Sequence, residues 1–141
     1  MDAPQEVARP AEAQATARIL VVDDDTCIFD IFGEICPSPL FFLTVASHGR
    51  LAVQLAGSQH FDLAFVDYFL GQEIGTEVAQ QMRKVQPGMK VVLMSGFLVE
   101  DRAAAMEKAG AGAFLIKPFS IENAQSVIKR LLGARGSERL S

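Results

Sequence analysis

Leu63-Ala64-Phe65-Val66-Asp67 is a run of four apolar residues closed by a carboxylate, and the same grammar recurs along the chain. Ile19-Leu20-Val21-Val22 is closed by Asp23 and Asp24, Val91-Val92-Leu93-Met94 by Ser95, and Phe114-Leu115-Ile116 by Lys117. Runs that are apolar throughout suit strands covered on both faces, as in a parallel sheet. In an open parallel α/β sheet the carboxyl ends of the strands share one edge. Asp23, Asp24, Asp67, Ser95 and Lys117 are therefore expected to meet there.

Working outward from these runs, five βα units are predicted, with strands near 18–23, 41–46, 62–67, 90–95 and 113–117. The first helix, near 26–36, should stop at Cys36-Pro37-Ser38-Pro39, because proline removes a donor and biases the preceding residue away from the helix. A second helix is expected near 49–57. The third, Gly75 to Gln86, would turn Val78, Met82 and Val85 inward and end at Pro87-Gly88. The fourth, about 100–109, should end at Gly110, and the fifth should start from Ser120 as N-cap, with Ile121, Ile128 and Leu131 facing inward. Five such strands can be wound in the order 2-1-3-4-5, which leaves a crevice where the order reverses between strands one and three.

The chain of 141 residues suits one domain. Residues 1–17, rich in Ala, Pro, Gln and Glu, are expected to form a flexible tail, 18–132 the folded domain, and 133–141 a second flexible tail, leaving no room for an output domain. No apolar run reaches the roughly 20 residues of a membrane span, and the amino end lacks a signal-peptide pattern, so a cytoplasmic location is expected. A net charge of −4 with no basic cluster argues against nucleic acid as the main ligand. Cys27 and Cys36 are expected to be buried, inert thiols. His48 and His60, with no adjacent acid apparent, are assigned to loops, and Asp25 to capping or solvent.

Three carboxylates and one ammonium in a single pocket leave excess negative charge, which a hard divalent cation would compensate. Mg²⁺ fits aspartate oxygens better than Zn²⁺ does, and no His or Cys cluster competes. If a phosphoryl group joins the metal, Ser95 can donate to one oxygen, Lys117 can neutralise another, and Asp67 is the natural acceptor.

With these residues in hand, the sequence from about Arg18 to Leu132 resembles the receiver domain of two-component response regulators, of the stand-alone, single-domain type. The resemblance rests on the acidic pair Asp23-Asp24, the lone Asp67, the hydroxyl of Ser95 and the Lys117-Pro118 step, in matching order and spacing. It implies a flavodoxin-like (βα)₅ fold and a phosphorylatable switch that is not an enzyme in the usual sense. Asp67 would accept a phosphoryl group from a histidine kinase or histidine phosphotransfer protein. Mg²⁺ would be held by Asp23, Asp24, Asp67 and the main-chain carbonyl of Phe69, while Ser95 and Lys117 sense the phosphoryl group. Phe114 would be the switch aromatic, coupled to a partner-reading surface of the fourth helix, fifth strand and fifth helix.

Gly71 stands where the family often has proline, so a looser Tyr68–Ile74 loop is expected. Phe69 and Phe97, two positions after Asp67 and Ser95, are expected to flank the phosphoryl site and restrict water. Other readings of the same pocket are a phosphate shuttle or sink, a phosphate-independent binding module, and a haloacid dehalogenase-type phosphatase with Asp23 as nucleophile and Asp25 as acid.

Overall fold

Alternation along the central strands divides the interior into two cores. In the computed structural model, which describes residues 17–133, five parallel strands form the sheet: β1 (Ala17–Val22), β2 (Phe41–Ala46), β3 (Leu63–Asp67), β4 (Lys90–Ser95) and β5 (Ala111–Ile116). Their order is β2-β1-β3-β4-β5, as the sequence predicts. The helices are α1 (Ile28–Ile35), α2 (Gly49–Ser58), α3 (Gly75–Val85), α4 (Arg102–Ala109) and α5 (Ile121–Leu132).

Successive strand side chains point to opposite faces. Leu20, Val22, Ala64, Val66, Val91 and Leu93 accordingly pack with α2, α3 and α4 through Ala52, Ala56, Val78, Ala79, Met82 and Ala105. Ile19, Val21, Leu63, Phe65, Val92 and Met94 pack with α1 and α5 through Phe32, Ile35, Ala124 and Ile128. The Phe32 and Phe65 rings meet at 4.7 Å. Each such fully buried ring removes enough apolar surface from water to be worth about 2–3 kcal/mol.

Local signals set most helix ends. Ser120 accepts from the Asn123 amide at 2.9 Å, and Asp101 accepts from Ala104 at 3.0 Å, which starts α4 at Arg102 rather than near 100. Gly110 ends α4 in the left-handed region, at φ 67°. His48 caps α2, its Nδ1 accepting from the Leu51 amide at 3.2 Å.

Several expectations need correction. Val85 is 50 % exposed, and Ala79 completes the buried stripe of α3 beside Val78 and Met82. β5 starts at Ala111, two residues earlier than expected, because an irregularity opposite Val91 and Val92 absorbs Gly112. Strand β1 starts at Ala17, itself fully buried, and Gly133 caps the end of α5, its amide donating to the Lys129 carbonyl; residues 1–16 and 134–141 of the expected tails lie outside the described residues. Cys36 is buried, and burial pushes its thiol up to about 12, whereas Cys27 is exposed. His60 does have an acid beside it, with Nε2 3.0 Å from Asp62 Oδ1. The Tyr68–Ile74 segment is ordered by an antiparallel ribbon, Phe69–Leu70 against Glu73–Ile74, turned by Gly71 at φ 62°. Among the described residues no helix is long and apolar enough to cross a membrane.

Candidate functional site

Sheet register brings the strand-terminal residues to one edge. Val22 pairs with Val66 and Asp67 with Met94, so Asp23 and Asp67 leave adjacent strands at nearly the same height. On the far side Ser95 pairs with Ile116, and the Lys117 amide donates to the Ser95 carbonyl at 2.8 Å. The Tyr68 amide donates to the Met94 carbonyl at 2.7 Å, fixing the chain as it leaves β3.

Asp23, Asp24 and Asp67 each present an oxygen within 4.8 Å of the others. Asp23 is wholly buried and Asp67 is 7 % exposed, while Asp24 lies at the surface. Lys117 reaches in from the end of β5: its Nζ donates to Asp23 Oδ2 at 2.6 Å and lies 3.3 Å from Asp67 Oδ1. One ammonium thus bridges the two buried carboxylates. Burial, reinforced by the charge of Asp23, pushes the Asp67 carboxyl up to about 6 against the opposing pull of Lys117. Burial lowers the Lys117 ammonium, but its hydrogen bond to Asp23 and the charges of both carboxylates outweigh this, and its pKa ends above the ordinary value.

The cleft over these groups has a volume of about 410 Å³ and is lined by the three aspartates, Asp25, Phe69, Gly71, Gly96, Phe97 and Lys117. Asp25 lines it but does not belong to the three-acid cluster; its Oδ1 accepts from the Cys27 amide at 3.1 Å, bracing the entry to α1. That arrangement gives no support to a phosphatase in which Asp25 acts as acid. The cluster suits a hard divalent cation, since it sets three carboxylates against the single ammonium of Lys117.

Ser95 closes β4 at the same edge, with its hydroxyl engaged locally. It is 1 % exposed, and its hydroxyl donates to the Phe97 carbonyl at 2.9 Å while accepting from the Phe97 amide at 3.0 Å. The side chain closes a local turn and does not line the cleft. Phe69 and Phe97 do line it, their rings edge to face at 5.6 Å and 37 % and 74 % exposed. Phe114 stands away from the cleft, half-buried beneath the Arg102 guanidinium at 4.8 Å.

Two contributors were not anticipated. Gly75 lies against the Asp67 main chain: a Cβ there would collide with the Asp67 carbonyl oxygen and stand 2.9 Å from its carbon. Its amide donates to the Tyr68 carbonyl at 2.7 Å, closing the base of the ribbon. Glu73 accepts from the Gly49 amide at 2.9 Å, tying the ribbon to α2. The only advance signal was a glycine at the start of a predicted helix.

Comparison with known proteins agrees with this geometry. The chain is 32 % identical over 123 residues to the alginate biosynthesis transcriptional regulatory protein AlgB of Pseudomonas aeruginosa, covering 87 % of this chain and 27 % of AlgB. It therefore spans about a quarter of the length of that regulator. A solved receiver domain protein described as CheY-like, from Methanospirillum hungatei, superposes with a TM-score of 0.78 at 30 % identity, over 86 % of this chain and 98 % of the other. The receiver domain of the Pseudomonas aeruginosa sensor histidine kinase PA1611, solved with a magnesium ion in its active-site cleft, shares the fold at 22 % identity, with a TM-score of 0.73 over 84 % of this chain and 98 % of that one. The family model described as the response regulator receiver domain matches residues 19–129, and the chain belongs to that family of phosphoacceptor signalling domains.

Proposed function

We propose that this receiver domain accepts a phosphoryl group on Asp67 from a histidine kinase or histidine phosphotransfer protein. The observation that carries this reading is the bridging of Asp23 and Asp67 by Lys117 within a three-carboxylate cluster. Asp23, Asp24 and Asp67, with the Phe69 carbonyl, would hold Mg²⁺, which supplies charge neutralisation and orientation when bound. An Asp67 carboxylate oxygen attacks phosphorus; an O–P bond forms as the donor's N–P bond breaks, and the imidazole nitrogen leaves with the electron pair. Lys117 counters the charge on the transferred group, as electrostatic stabilisation of phosphoryl transfer requires.

To contact a phosphoryl oxygen, Ser95 must give up its hydroxyl bond to the Phe97 carbonyl. Inward movement of Phe114 must likewise cost its contact with Arg102. Through these two releases the charge placed on Asp67 reaches the surface of α4, β5 and α5, which a partner protein then reads. Phe69 and Phe97 form an apolar rim that slows attack of water on the acyl phosphate. The free thiols of Cys27 and Cys36 fit action in the cytoplasm.

The test is intact mass after incubation with a small phosphodonor, with and without Mg²⁺. A single phosphoryl adduct that needs both Mg²⁺ and Asp67 is expected. An adduct that survives Asp67→Asn but is lost in Asp23→Asn would overturn the assignment of the acceptor. No adduct from either a small phosphodonor or a phosphorylated histidine kinase would favour a phosphate-independent binding module.

A further inference from the structure

The ribbon that follows Asp67 is fastened at two places. At its base Gly75 packs on the Asp67 main chain, and its amide bonds the Tyr68 carbonyl at 2.7 Å. At its outer end Glu73, paired across the ribbon with Leu70, reaches a different part of the chain and accepts from the Gly49 amide at 2.9 Å. Both of its carboxylate oxygens crowd Gly49 so closely that a Cβ there would stand 2.7 and 2.9 Å from them, and 2.6 Å from Val78 Cγ2. The first turn of α2 thus receives a charge-assisted bond from a residue 24 positions away in sequence. Phe69, opposite Ile74 in the same ribbon, lines the cleft and stands two residues beyond Asp67.

A helix cap needs no such remote carboxylate, because His48 already caps α2 through the Leu51 amide. We propose that Glu73 is a positioning residue for the acidic cleft: by clamping the ribbon to α2 it sets where the Phe69 main chain stands relative to Asp67, and so how well the cleft holds a divalent cation. This rests on the reading of the cleft as a Mg²⁺ site. The clamp replaces stiffness that Gly71 cannot give to the turn.

Mg²⁺ titration of the full chain tests it, read by fluorescence of Tyr68, the chain's single tyrosine with no tryptophan to mask it, and by the Mg²⁺-dependent rise in melting temperature. Loss of a group that orients a metal ligand costs about tenfold or more in affinity. Glu73→Ala should therefore weaken Mg²⁺ binding about tenfold, while Glu73→Gln, which keeps an acceptor oxygen but no charge, should stay close to wild type. His48→Ala removes the other bond at the same helix start, so it should lower the melting temperature and leave Mg²⁺ affinity unchanged.

Equal Mg²⁺ affinities for Glu73→Ala and His48→Ala would reduce Glu73 to a helix cap and overturn the proposal. A Glu73→Gln variant as weak as Glu73→Ala would overturn it in favour of simple electrostatic attraction. Wild-type protein that binds no Mg²⁺ by either readout would instead sink the reading of the cleft itself.

Discussion

Replacing Asp67 by asparagine in metal-free buffer should stabilise the protein at neutral pH. The carboxyl stands at about 6 against an ordinary value of 3.8, chiefly because it is buried and then because Asp23 is beside it. Each pKa unit corresponds to about 1.4 kcal/mol, so holding Asp67 ionised at pH 7.5 costs at most about 3 kcal/mol. The nearly isosteric amide removes that cost. It also weakens the 3.3 Å contact with Lys117, which keeps its 2.6 Å bond to Asp23, so a net gain of about 1–2 kcal/mol is expected. For a domain of this size that is a rise of about 4–8 °C in melting temperature.

The sign follows from linkage. A carboxyl whose folded pKa is raised lets the folded state bind more protons than the unfolded chain between about 4 and 6. Its stabilising contribution is full below the unfolded value and is lost as pH rises through about 6. Urea denaturation of wild type and Asp67→Asn in a chelator, at steps from pH 4.5 to 8, isolates this group, because other titrations cancel in the difference. The gap should open with rising pH and level off above pH 7, and added Mg²⁺ should close it by stabilising the wild type. A variant that is no more stable at pH 7.5, or a gap independent of pH, would refute the reasoning.

Gly75→Ala should destabilise by about 1–3 kcal/mol, since the added methyl has no room beside the Asp67 carbonyl and the surrounding backbone must shift. It should also slow phosphorylation of Asp67 more than a surface variant of equal stability, as intact-mass time courses will report. Phe97→Ala and Phe69→Ala should each shorten the lifetime of the phosphorylated protein severalfold by opening the aromatic rim. Slower loss of phosphate than in wild type, followed by phosphate release, would contradict a shielding role.

How much could be read without coordinates depended on whether a property was local. The sequence of β3 ends in Asp67 because the apolar run ends there, and the same holds for β1, β4 and β5 with their terminal residues. Caps at Ser120 and Gly110 were equally legible, since each acts within one turn of its own helix. Val85 misled because Val78, Met82 and Val85 satisfy helical spacing, yet it is Ala79 that joins Val78 and Met82 in the core while Val85, at the last position of α3, stays half exposed. Phe42, inside the run read as the second strand, is 37 % exposed, because an apolar run does not say which side of an edge strand a ring takes.

The sequence by itself determined the alternation of strands and helices and which chemical groups would gather at the carboxyl edge of the sheet. These follow from side-chain periodicity and chain connectivity, both carried by neighbours in sequence. Only the tertiary structure decided that Asp23 is fully buried while Asp24 is not, that Lys117 spans Asp23 and Asp67, and that Glu73 clamps the ribbon to α2. Burial and charge pairing depend on distances between segments far apart in the chain, and those distances exist only once the separate elements have packed.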